Sequence, residues 1–211
     1  MFKIQKTSLM VLLLLFGCAS TTMEFTSAKT YVRTDKDLRK GEEWALKALN
    51  IPSDSTNALV PYFLATEIYK PQEEWAKMAE MLDEAERRNS EQKLEKPKLL
   101  VPPEELTKDN YDEMVIETIG EGVEAYREDA WGMIFNQALE LIDIKEANAA
   151  LIKLNLCLQM NPYRIETYAA FIQHYIEKDN LKTALEYAQK GLEINNQSSL
   201  MYEMNAKLLL Q

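Results

Sequence analysis

The chain has 211 residues, with 34 acidic against 24 basic side chains, six Gly, seven Pro, two Cys and one His. A formal charge of −10 excludes a phosphate-tracking nucleic-acid binder, which needs a basic face, and one imidazole excludes a His-rich metal site. An apolar fraction of 46% with few Gly and Pro fits one helix-rich globular protein with a real core.

The first seventeen residues differ from the rest. Lys3 and Lys6 form a basic segment, and Leu9 to Phe16 form an uninterrupted apolar run. A run this short does not cross a hydrocarbon core of roughly 30 Å, which takes a helix of about 20 residues. It suits the apolar region of a signal peptide. Leu15-Phe16-Gly17-Cys18 then resembles the bacterial lipobox, with an aliphatic residue at −3, a small one at −1 and Cys at +1. The resemblance implies that 1–17 is a lipoprotein signal peptide cut before Cys18. It also implies a diacylglyceryl group on the Cys18 thiol and a further acyl chain, such as palmitate, on its amine. At about 0.8 kcal/mol per buried methylene, two or three such chains hold a protein on a bilayer durably. Ala19 at +2, in place of Asp, implies the outer membrane of the bacterial cell envelope, facing the periplasm or the cell surface. The mature chain would carry 22 basic and 34 acidic residues, a net charge of −12.

Segment 18–35 begins at the acylated Cys, is rich in Thr and Ser with no helical period, and reads as a tether. From Asp35, Leu38, Gly41, Ala45, Ala48 and Leu49 recur at three- and four-residue spacing, which predicts a helix ending at Ile51-Pro52. A second helix is expected over Asn57 to Tyr69. A third starts after Pro71 and runs to about Arg88 with Trp75, Met78, Leu82 and Ala85 inward. These make a divergent helical part over 36–90. Pro97, Pro102 and Pro103 mark 91–108 as a linker. Helical period resumes near Asn110 and fills a domain over 109–211; no alternating strand pattern stands out anywhere.

The strongest signal is internal repetition at 34 residues. At that shift Ala150 falls on Ala184, Leu154 on Ala188, Cys157 on Gly191 and Asn161 on Asn195. On the preceding helices Ile134, Tyr168 and Tyr202 superpose, as do Leu141, Tyr175 and Leu209. The period, the aromatics Tyr168 and Tyr175, the small Ala184 and the Gly191-Leu192-Glu193-Ile194-Asn195 ending resemble the tetratricopeptide repeat. The resemblance is good over 131–211 and weak over 36–90, where Ala48 and Ala85 stand 37 residues apart. It implies an all-α solenoid of antiparallel helix pairs with Ser199 to Leu210 as a closing helix. Small residues at Ala138, Ala150, Ala184 and Gly191 would let helices approach, and each unit would complete its core against a neighbour.

Little else carries chemistry. Gly120-x-Gly122-x-x-Ala125 satisfies a dinucleotide-binding spacing, but the segment before it is acidic and of helical period, and no βαβ unit surrounds it. The glycines read as a helix feature. Cys157, in an apolar stripe with Leu154 and Leu158, reads as a buried hydrophobe rather than a nucleophile. His174, with Glu177 nearby, reads as a surface imidazole, and the paired carboxylates as solvated helix faces. No catalytic residue, metal ligand or cofactor is assigned.

The groove remains. In the repeat family the first helix of each pair lines a partner-binding surface. The resemblance offers Phe135, Leu139, Ile142 and Asp143 from one unit and Ala169, Gln173 and Glu177 from the next. An apolar patch bordered by acids suits an apolar segment with basic flanks. The alternative is that Phe135 and Leu139 simply pack beneath the 109–128 helix. The expected function is a membrane-anchored protein–protein interaction scaffold with an unknown protein or peptide partner and no nucleic acid. Two other readings are an accessory subunit or hydrolase with a site in 36–130, and a self-associating structural lipoprotein.

Overall fold

The structure is a computed structural model that describes residues 21–210; Cys18 and the rest of the lipobox lie outside them. The described chain is all-α in architecture, a stack of antiparallel helix pairs with one small hairpin inserted. α1 (Met23–Arg33) packs on α2 (Leu38–Leu49). α3 (Leu59–Phe63), continued by a π-helical segment over Leu64–Tyr69, packs on α4 (Trp75–Asn89). After the hairpin, whose long connection contains a single helical turn, α5 (Tyr111–Met114), come α6 (Ile119–Asp143) on α7 (Ala147–Met160), then α8 (Ile165–Glu177) on α9 (Leu181–Ile194). α10 (Ser199–Leu209) closes the stack against α8 and α9.

One backbone device recurs in all four pairs. The turn between partners holds a non-glycine residue in the left-handed region: Lys36, Glu73, Lys145 and Asp179, with φ of 59°, 54°, 64° and 55°. In three turns the next amide reaches back five residues, Glu74 to Tyr69, Glu146 to Leu141 and Asn180 to Tyr175, at 3.0, 2.8 and 2.9 Å. This pattern ends a helix while satisfying its last carbonyls and reverses the chain. Lys145 and Asp179 are one 34-residue period apart.

The packing is set by the small residues. Ala138, Ala150, Ala184, Ala188 and Gly191 are buried at the helix contacts, with Leu154 and Cys157 sealed beside them. Phe171, Tyr175 and Tyr187 form a stacked aromatic group, Phe171 and Tyr187 being 4.4 Å apart between centroids. Tyr168 is buried and donates its hydroxyl to Pro162 O at 2.9 Å.

Three expectations are corrected. Segment 23–33 is not tether but the first helix of the first pair. Phe25, Ala28 and Val32 are buried at i, i+3 and i+7, and Gly41 of α2 comes so close that a Cβ there would collide with Val32 Cγ2. Thr22 caps α1 by accepting from Phe25 N–H. With α1 included, the N-terminal part is two pairs, and the 37-residue offset of Ala48 and Ala85 reflects a longer loop after α2. That loop is held by Arg88, which donates to Leu49 O and Asp54 O at 3.0 and 2.8 Å.

The second correction is in the 91–108 linker, where Lys93–Leu99 forms β1. It pairs antiparallel with β2 (Val115–Thr118), through Lys98 opposite Ile116 and Leu99 opposite Val115. The third is tied to the second: in the segment before Gly120 only Tyr111–Met114 is helical, and Val115–Thr118 is strand. Its β-branched Val115, Ile116 and Thr118 suit a strand, and the first two are buried. Thr118 then starts α6 with a reciprocal capping box to Glu121.

Candidate functional site

The proposed groove residues form one register. Phe135, Leu139 and Asp143 on α6 recur as Ala169, Gln173 and Glu177 on α8 at 34 residues, each set stepping by four along one helix face. Trp131 continues the same row one turn earlier and is buried, and the buried Ile134 and Ala138 flank the row. Phe135 divides its surface. It stacks on Trp131 at 4.9 Å and packs on Ala138, Leu154 and Phe171, yet stays partly accessible. Leu139 is 40% exposed, and Asp143 and Glu177 are exposed at the helix ends. Ile142 and Ala169 are half-buried. Gln173 donates to Glu177 at 2.9 Å, which presents both as one polar edge.

The two first helices are joined beneath this face. Trp131 Nε1 donates to the buried Thr167 hydroxyl at 2.9 Å, and the Arg164 guanidinium lies 4.4 Å over the Trp131 ring while pairing with Glu128. The face is thus backed by a fixed polar and aromatic seam.

Other singled-out residues have structural roles. A Cβ on Gly122 would collide with the Tyr62 hydroxyl, so glycine lets α6 approach α3; Gly120 N–H donates to Ser90 O at 2.8 Å. Neither glycine belongs to a phosphate cradle. Burial pushes the Cys157 thiol up to about 12, which keeps it protonated. His174 lies edge-on to Tyr175 at 5.2 Å; burial and Lys178 hold it below the usual imidazole value, so it is neutral at pH 7. Among the described residues no group of three or more His, Cys, Asp and Glu could hold a metal ion, and no helix is long and apolar enough to cross a membrane.

Two concavities lie apart from this face, and no sequence signal pointed to either. A crevice of about 670 Å³ runs between α4, α6 and the α7–α8 turn, among Asp83, Glu86, Glu124 and Tyr163. Arg127 spans it, donating to Met160 O at 2.8 Å and pairing with Asp83, so it ties the halves across the break in register. A second cleft, of about 380 Å³, opens between α1, the π segment, β1 and α6. Residues of several elements build it, and no short motif could have announced it.

No protein-family model and no curated protein matches the chain. Solved structures similar to it include MamA, at 14% identity and a TM-score of 0.34, covering 85% of this chain and 81% of that one. Another is YrrB, a TPR protein with an unusual peptide-binding site, at 17% identity and a TM-score of 0.34, covering 90% and 92%. Cut9–Hcn1 of the APC/C hetero-tetramer aligns at 10% identity and a TM-score of 0.35, over 88% of this chain and 29% of that one.

Proposed function

We propose that this chain is a lipid-anchored interaction scaffold of the bacterial cell envelope, attached through Cys18 and binding a partner protein on the exposed faces of α6 and α8. The observation that carries it is the register itself: Phe135, Leu139 and Asp143 repeat as Ala169, Gln173 and Glu177 on two helices locked by Trp131 and Thr167. The face is apolar at its centre and acidic where Asp143 and Glu177 stand, which favours an apolar segment with basic flanks.

The anchor reading rests on Leu15-Phe16-Gly17-Cys18, and α1 gives it a consequence. Thr22 donates its hydroxyl to buried Asp54 at 2.7 Å, and Phe25 is sealed in the core. Three residues lie between Cys18 and Thr22. Four peptide steps span at most about 14 Å, so an acylated Cys18 holds the folded domain against the headgroups. Replacing Cys18 with Ala moves the protein from the membrane to the soluble fraction; unchanged fractionation overturns the anchor. For the groove, Leu139→Asp abolishes partner co-purification while the far-ultraviolet circular dichroism is unchanged; retained partner overturns it.

A further inference from the structure

The 380 Å³ cleft differs in chemistry from both the groove and the rest of the molecule. Its floor is aromatic: Tyr62 and Tyr126 meet edge-to-face at 5.8 Å, and Phe25 and Phe63 at 5.5 Å. Its wall is β1, which brings Lys96 and Lys98 to the opening. The carboxylates present are consumed. Glu67 accepts two hydrogen bonds from Arg33, at 2.5 and 2.9 Å, and Glu95 is shared by Lys29 and Arg33. Lys96 and Lys98 have no carboxylate partner among the described residues; Lys98 Nζ rests 4.1 Å from the Tyr126 centroid, and Lys70, itself paired with Asp129, lies 4.8 Å from it. In a chain of net charge −10, this is a local excess of cations over aromatic rings.

Three further features mark a surface with unfilled valences. Tyr62 is only 9% exposed, lines the cleft and makes no hydrogen bond through its hydroxyl; burial first, then Tyr126 and Glu67, raise it above the usual phenol value, so it remains a donor. The π-helical segment Leu64–Tyr69 supplies Thr66 and Glu67 to the same wall, and π segments occur mostly where a site needs a helix re-aimed. Finally, β1 pairs with β2 on one edge only, and Pro97 sits within it, as prolines in sheets do at an edge.

We infer that this cleft is a second docking site, which takes an extended acidic peptide segment of a partner protein. The segment adds along the open edge of β1, with a carboxylate between Lys96 and Lys98 and an adjacent apolar side chain on Tyr62 and Tyr126. Lys96 and Lys98 attract the carboxylate, and the Tyr62 hydroxyl supplies a donor that now has no acceptor. The preference is opposite in sign to that of the α6–α8 face, so the two sites would discriminate between segments of opposite charge.

The test uses the full chain in detergent micelles and a short fluorescein-labelled peptide alternating Glu with Val and Phe, against the same peptide with Lys for Glu. Fluorescence anisotropy at low salt should show the Glu peptide binding about tenfold more tightly than the Lys peptide. Lys96→Glu with Lys98→Glu, both exposed, should remove that preference. Tyr62→Phe should weaken the Glu peptide about fivefold, the worth of one hydrogen bond. Leu139→Asp should leave it unchanged, which separates this site from the α6–α8 face. Equal binding of the two peptides, or a preference that survives the lysine reversals, overturns the inference. So does displacement by inorganic phosphate as readily as by unlabelled peptide, since that describes a bare anion site.

Discussion

Single residues set where each helix stops and how near its neighbour lies. Lys36, Glu73, Lys145 and Asp179 adopt the left-handed conformation with a Cβ, at a cost of roughly 1–2 kcal/mol each. Lys145→Gly and Asp179→Gly should therefore each stabilise the fold by about 0.5–1 kcal/mol, read as a higher urea midpoint at unchanged slope. Gly122→Ala should do the reverse, because its Cβ meets the Tyr62 ring and hydroxyl. The Gly120–Gly122 pair was legible as a helix feature, but its reason was not: the partner, Tyr62, lies sixty residues earlier in the chain. Glu121 is held below the usual carboxylate range by the N–H groups of Glu117 and Thr118. At Glu95 burial opposes ionisation, and Lys29 and Arg33 outweigh it, so that its value is also lowered. A carboxylate lowered by folding stabilises the native state above its unfolded value of about 4.3 and loses that contribution as pH falls through its folded value. Stability should accordingly decline on acidification below about pH 4.5, and Glu121→Gln should flatten that limb in urea titrations. Cys157, protonated and buried, should resist a thiol reagent until urea unfolds the chain.

At the scale of elements, the 34-residue period was readable over 131–211 because Ala150 and Ala184, and Cys157 and Gly191, stand one period apart and are all buried. Two elements were not readable. α1 hides Phe25, Ala28 and Val32 among Thr, Ser and Lys, so its apolar stripe is too sparse to stand out from a polar tether. Phe25→Ala tests the difference: a helix sealed in the core loses about 3–4 kcal/mol, whereas a tether loses nothing. Chemical denaturation of the full chain measures it. β1 has the composition of a linker, Lys, Glu and Pro, and becomes a strand only through pairing with Val115–Thr118 across the long connection that contains α5. Such pairing is non-local, and no window of local sequence contains it. The cost of missing β1 was the N-terminal cleft, one wall of which it forms.

As proposed, the whole molecule combines two recognition faces of opposite polarity with a leash only a few residues long. The proposed α6–α8 face follows from the repeat register; the cleft has no such sequence signal, because Tyr62, Lys96, Lys98 and Tyr126 converge from three elements that share no spacing. Under the proposed anchor, a domain held within about 14 Å of an acylated Cys18 meets only partners that approach the same bilayer. Capture of such a partner by the exposed face of α6 and α8 is read out by photo-crosslinking in native membranes. The photoreactive residue is placed at Leu139 or Gln173, against Ile152 or Glu186, which are exposed on α7 and α9. The same crosslinked partner is expected from Leu139 and Gln173 and none from Ile152 or Glu186. The product should also be lost when Asp143→Lys and Glu177→Lys reverse the acidic edge. Equal crosslinking from all four positions, or a product indifferent to those reversals, would contradict binding at this face.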